Sequence, residues 1–189
     1  LERSTENINF LQNAYLLKND FSKYEKDNQF LEGTGSLVLD RINKIAYMSV
    51  SKRSSIKLAT HWANVRGYSL NLFSSGLDDL PIYHTNVVMF IGSDIACLGS
   101  DLIKDNDIKS ILKKHHRVIT LSEDEVKNFC GNCIEVRDRE DNKILLMSSR
   151  AYKSFTKKNL IQLSSFYPKI LHTDLTNTEN IGGCLLYTS

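Results

Sequence analysis

The chain has 189 residues, 41% apolar and 24% charged, with a formal net charge of +2. That is enough for one domain, or most of a larger one, with a core that needs no disulfide framework. The charge is too small to argue for nucleic acid or a membrane as partner: Lys113, Lys114 and Arg117 are balanced by Asp105, Asp107, Glu123 and Glu125. The longest apolar run, Val87 to Leu98, is broken by Gly92, Ser93 and Asp94 and is too short to span a bilayer. Cys97, Cys130, Cys133 and Cys184 show no secreted spacing and no signal peptide pattern is present, so a cytoplasmic location is expected. The chain starts Leu1-Glu2-Arg3 and stops at Ser189, and both ends are expected to be cuts.

Taken in order, Ser36 to Leu39 reads as a strand, Asp40 to Asn43 as a turn and Lys44 to Val50 as a second strand. Ser54 to Arg66 has helical apolar spacing at Ile56, Ala59, Trp62 and Ala63; Gly67 stands at its C-cap, and Tyr68 to Phe73 alternates as a strand. A second unit starts at His84: a strand over Thr85 to Ile91, a turn at Gly92-Ser93-Asp94 and a strand over Ile95 to Leu98. A helix over Asp107 to His116, N-capped by Asp107, and a strand over Arg117 to Leu121 complete it. In the third unit, from Asn132, Cys133 to Arg137 and Lys143 to Met147 read as strands around a turn at Asp138 to Asn142. Ala151 to Phe166 reads as one helix and Lys169 to Leu171 as the last strand.

One plan thus recurs at intervals of about fifty residues, with modules over 32–75, 84–121 and 132–174 of a single domain. The second strands end near small polar residues: Ser49 or Ser51, Ser100 and Ser148. Stacked units of this kind hide strand edges by closing into a ring, so the expected fold class is an α/β propeller with pseudo-symmetry. In such a ring the starts of the first strands converge, bringing together Glu32, Thr34, His84, Asn86 and Asn132. A carboxylate, an imidazole and amides meeting there make a candidate acid–base site, with Glu32 and His84 as its catalytic pair. Read singly, Glu32 is equally a turn residue and His84 a strand-edge histidine.

Phe30 to Arg41, with Glu32-Gly33-Thr34-Gly35, resembles a segment of citrulline-utilisation hydrolases and is similar to the Glu-Gly-Gly-Asp segment of arginine deiminases. Tyr83 to Val87 resembles the histidine strand of the same guanidine-modifying superfamily, Phe129 to Val136 its next module, and Ile181-Gly182-Gly183 the approach to its nucleophilic cysteine. The resemblance implies a five-fold, pentein-like α/β propeller that hydrolyses a C–N bond of citrulline or a related ureido or guanidino compound. No cofactor and no metal is expected, and the partner is a small amino acid; the oligomeric state is left open.

The chemistry suits these residue types. A thiolate attacks the poorly electrophilic carbon, and one histidine protonates the leaving nitrogen and then deprotonates water. The resemblance gives His84 that role, with Glu32 as its partner or a substrate anchor. Asn86 stands where arginine deiminases have Asp; an amide offers a donor and an acceptor and suits a neutral ureido group. Arg53 matches a Ser-x-Arg segment of the relatives and is a candidate for binding an amino-acid carboxylate, or else a surface arginine.

In the family a Gly-Ser-Ala-Arg-Cys segment follows Ile-Gly-Gly, whereas Cys184 follows Gly183 at once. The tail Cys184 to Ser189 reads as the translation of a sequencing-adapter end. Cys184 is therefore not expected to be the nucleophile, and the fragment is expected to be inactive. Cys130-Gly131-Asn132-Cys133 suggests a thiol oxidoreductase, but it follows a helical stretch instead of opening a helix, so buried structural cysteines are expected. The alternatives are an arginine deiminase or amidinotransferase and, from another class, a non-catalytic propeller binding protein.

Overall fold

The computed structural model describes residues 21–33, 35–77, 80–104, 107–180 and 185. Thr34, Ile181 to Gly183 and Cys184 lie outside the described residues, as does the tail apart from Leu185. The chain is a mixed α/β fold built on three three-stranded sheets of one design. In the first, β1 (Val38–Asp40) pairs antiparallel with β2 (Ile45–Ser49), which pairs parallel with β3 (Ser69–Phe73). The second joins β6 (Met89–Ile91), β7 (Ile95–Leu98) and β8 (Arg117–Thr120) in the same way. The third joins β9 (Ile134–Arg137), β10 (Lys143–Ser148) and β11 (Lys169–Thr173). A hairpin of β4 (Gly76–Leu77) and β5 (Leu80–Pro81) stands between the first two sheets.

The central strands carry the core. All residues of β2 and β7 are buried, because a strand flanked on both edges and covered on both faces has no side for water. The parallel third strand of each sheet is reached through helical crossovers, as such pairing requires. These are α1 (Ile56–Arg66), α3 (Asp107–Lys113) and, in the third unit, two helices. Ser55 caps α1 by accepting from Leu58 N, and Gly67 ends it at φ 68°, in the left-handed region that favours glycine.

Two expectations are corrected. Thr85 to Val88 is not strand but one helical turn, α2 (Thr85–Val88), and β6 begins only at Met89. A tertiary hydrogen bond overrides the strand propensity of Thr and Val: Asn86 N donates to Gly35 O, and the turn closes locally when Val87 N donates to His84 O. The single helix expected over Ala151 to Phe166 is two, α5 (Ser149–Ser154) and α6 (Lys157–Ser164), either side of an extended Phe155. Thr156 caps α6 and its own backbone N–H goes to Glu125 in α4 (Glu123–Lys127), so a helix-to-helix contact replaces the continuous ladder. Asp107 opens α3 as its first residue. The last helix, α7 (Thr176–Asn180), follows β11.

Candidate active site

Two loops lie side by side in front of the first sheet. Glu32 N donates to Arg53 O, Ser55 N to Phe30 O, and Leu31 bridges Ser54. The turn after Glu32 closes when Ser36 N donates to Glu32 O. Against these loops comes residue 84, extended at φ −124°, immediately before α2. Thr85, fully buried, holds it there: its hydroxyl donates to Ser36 O at 2.6 Å and accepts from Ser49 N at 2.8 Å. Ser51 Oγ donates to Tyr83 O at 2.9 Å on the other side.

The result places His84 Nε2 2.8 Å from Glu32 Oε2. Arg53 Nη1 lies 3.6 Å from the same oxygen, and its guanidinium carbon stands 4.5 Å from the centre of the Tyr83 ring. Tyr83 in turn meets the His84 ring edge to face, at 4.7 Å between centroids. The side chains of Glu32 and Arg53 are 43% and 52% exposed and that of His84 21%. The group is open to a small ligand, and its ion pair contributes little to stability. Gly35 packs so closely that a Cβ there would lie 2.8 Å from His84 Cγ and Nδ1.

Glu32, His84 and Arg53, far apart in the chain, are thus brought together. Asn86 is not in this group: it is buried behind it, 2% exposed, in the wall of a cavity of about 670 Å³ lined also by Leu37, Leu39, Phe90 and Ile134. Glu32, His84 and Arg53 do not line that cavity; they stand beside it, next to Gly33 and Asn86. Asn132, 3% exposed, joins the wall to the end of the chain, since its amide donates to Asn86 O and accepts from Leu185 N. Tyr83 and Thr85 were not legible as site residues, because their parts depend on ring stacking and on contacts between distant segments.

Cys97, Cys130 and Cys133 are free and buried, and burial pushes their thiols well above the ordinary range. None has the thiolate character that redox exchange requires. Among the described residues no cluster of His, Cys, Asp and Glu could hold a metal ion, and no helix is long and apolar enough to cross a membrane.

A family model described as N,N dimethylarginine dimethylhydrolase, eukaryotic, matches residues 1–186. No curated protein matches the chain. Among solved structures, an arginine dihydrolase from the ornithine-ammonia cycle in cyanobacteria, without ligand, is similar at a TM-score of 0.68 and 15% identity, over 88% of this chain and 25% of that one. The N-terminal domain of the same enzyme, as a cysteine-to-serine mutant bound to substrate, gives a TM-score of 0.66 at 15% identity, over 88% and 61%. DDAH from Pseudomonas aeruginosa, a cysteine-to-serine mutant complexed with citrulline, gives 0.53 at 14% identity, over 82% and 55%. The chain therefore spans a quarter to about three fifths of the length of these neighbours. At such identities the likeness establishes the fold.

Proposed function

The chain belongs to the eukaryotic N,N-dimethylarginine dimethylhydrolase family, and on that footing we propose that it carries the acid–base part of a hydrolase for guanidino or ureido amino acids. The observation that carries this reading is the His84–Glu32 contact of 2.8 Å at an open, partly polar surface. The family's name specifies a hydrolase acting on N,N-dimethylarginine, a guanidino amino acid. Two of the structural neighbours hold substrate or citrulline in mutants that replace a cysteine by serine. The cysteine replacements in those neighbours support a thiol nucleophile, and the buried Cys97, Cys130 and Cys133 do not suit that role.

In the proposed mechanism a cysteine thiolate attacks the guanidino or ureido carbon. His84 gives its proton to the departing nitrogen as the C–N bond breaks, leaving a covalent thio-intermediate. His84 then takes a proton from water, whose oxygen adds to the carbon and releases the thiolate. Glu32 holds Nε2, so Nδ1 is the nitrogen that exchanges the proton, and the carboxylate steadies the imidazolium between the two steps. Arg53 binds the substrate carboxylate, and Asn86, in the wall of the neighbouring cavity, presents an amide that suits a neutral ureido group reaching into that cavity. For the whole protein we infer the five-fold propeller that the resemblance implies, with the three sheets as three of its modules.

The test is turnover of N,N-dimethyl-L-arginine, L-arginine and L-citrulline by the full-length protein. His84→Gln is expected to lower kcat by about a hundredfold or more, in line with the usual contribution of general acid–base catalysis. Glu32→Gln should act in the same direction. Ligand binding without turnover by the wild type would favour the binding-protein alternative, and transfer to an added amine would favour an amidinotransferase.

A further inference from the structure

We propose that Tyr83 is a positioning residue that sets the guanidinium of Arg53 for the substrate carboxylate, and so tunes selection of amino acids over their decarboxylated analogues. The inference rests on the reading of Arg53 given above and extends it to a residue outside the acid–base pair.

The geometry is specific. The Arg53 side chain is half exposed, and a free arginine carries rotamer entropy that ligand binding would have to overcome. Here two groups restrict it: the Glu32 carboxylate at 3.6 Å and the Tyr83 ring face at 4.5 Å. Glu32 already serves His84 through the same oxygen, so it holds Arg53 at ion-pair distance without a close hydrogen bond. Stacking leaves the edge of the guanidinium, with its donors, free to meet a carboxylate in its own plane. Tyr83 is itself fixed, by the His84 ring edge and by Ser51 on its carbonyl, although its side chain packs in no core: the residue is 40% exposed. A large aromatic ring kept at the surface against the His84 ring is explained by the cation above it.

The test uses the full-length protein with L-arginine, N,N-dimethyl-L-arginine and L-citrulline, and agmatine as the probe lacking the carboxylate. Tyr83→Leu is expected to raise KM for the amino acids about fivefold, the size of an exposed cation–π contact, while any change in kcat that comes through its contact with the His84 ring should be the same for agmatine as for the amino acids. KM for agmatine should not move. Tyr83→Phe should restore the wild-type KM, and Tyr83→Leu should add nothing in an Arg53→Ala background. An unchanged KM in Tyr83→Leu, with a raised one in Arg53→Ala, would overturn the role of Tyr83 and leave the Arg53 anchor standing. An unchanged KM in Arg53→Ala, or no turnover of any probe by the wild type, would overturn the underlying reading and this inference with it. A melting temperature for each variant separates loss of fold from loss of binding.

Discussion

At the scale of single residues, the site depends on how closely Gly35 approaches His84. A methyl group at position 35 would sit 2.8 Å from two atoms of the imidazole, nearer than carbon atoms pack, and the ring is not at the free end of a flexible chain. Gly35→Ala must therefore push the ring off Glu32 or push the loop away from the ring. We expect kcat of the full-length protein to fall by about tenfold, as catalytic groups displaced by a fraction of an ångström lose their alignment. The melting temperature should change little, since the clash is at a loop. A variant with unchanged kcat would show that the His84–Glu32 contact is not needed in that geometry. The same residue scale explains what the three buried cysteines do: they fill the core as small apolar groups, and Cys130 and Cys133 donate weakly to Ala151 O and Cys130 O.

At the scale of elements, the site is held by a fastening between the loop before β1, β2 and α2. Thr85 uses its hydroxyl twice, toward Ser36 O and Ser49 N, while Ser49 Oγ meets Ser75 Oγ at 2.6 Å and Ser54 Oγ donates to Ser36 Oγ at 3.0 Å. Thr85→Val keeps the shape and removes both bonds, leaving a buried carbonyl and a buried N–H unsatisfied. The expected cost is roughly 2–4 kcal/mol, read as a lower urea midpoint; Thr85→Ser should lose much less, and equal losses in the two would show that the methyl group matters more than the hydroxyl. This fastening was invisible in the sequence, where Thr85 to Ile91 is a run of good strand formers. The strands and turns of the first and third units were legible because Asp40 to Asn43 and Asp138 to Asn142 interrupt apolar runs such as Ile45 to Met48 and Ile144 to Met147. The helix break at Phe155 was not, since apolar spacing continues across it; the one signal was Thr156, a good N-cap set inside a helical pattern. Glu32 and His84 were legible as a pair because equivalent places in successive repeats must meet. Tyr83 was not, because stacking on Arg53 follows from the way two loops cross.

At the scale of the whole molecule, the joints between units are made by buried or half-buried carboxylates, and each sits below the ordinary carboxylate range. Asp40, the last residue of β1, reaches His116 at the end of the second unit's crossover, with Nε2 2.6 Å from Oδ2 and both side chains 1% exposed. Burial alone would raise its pKa, but the Asn43 backbone N–H and the His116 ring outweigh that and lower it. Glu135, in β9, accepts from the backbone and hydroxyl of Ser93 in the second sheet's turn and from Tyr167 at 2.7 Å. Here too burial is outweighed, by Ser93, Tyr167 and the charge of Lys143. Glu125 closes the capping box of α4 and accepts from the N-cap Thr156 N and Asn159 Nδ2 of α6, and these bonds overcome its burial as well. A carboxylate with a folded pKa below its unfolded value stabilises the fold above the unfolded value, about 3.9 for Asp and 4.3 for Glu, and loses that contribution as pH falls through the folded one. The three joints should therefore weaken together on the acid side. Urea midpoints are expected to be level from pH 7 to about 5 and to drop steeply below about 4. Glu135→Gln should be less stable than the wild type at pH 7 but lose less on acidification, so that the two curves converge. Asp40→Asn should behave likewise, with a larger loss at pH 7, because it leaves His116 buried without its anionic partner. Curves that stay parallel down to pH 3 would mean that these carboxylates are not what acid undoes, and that the units are held together by their shared apolar core alone.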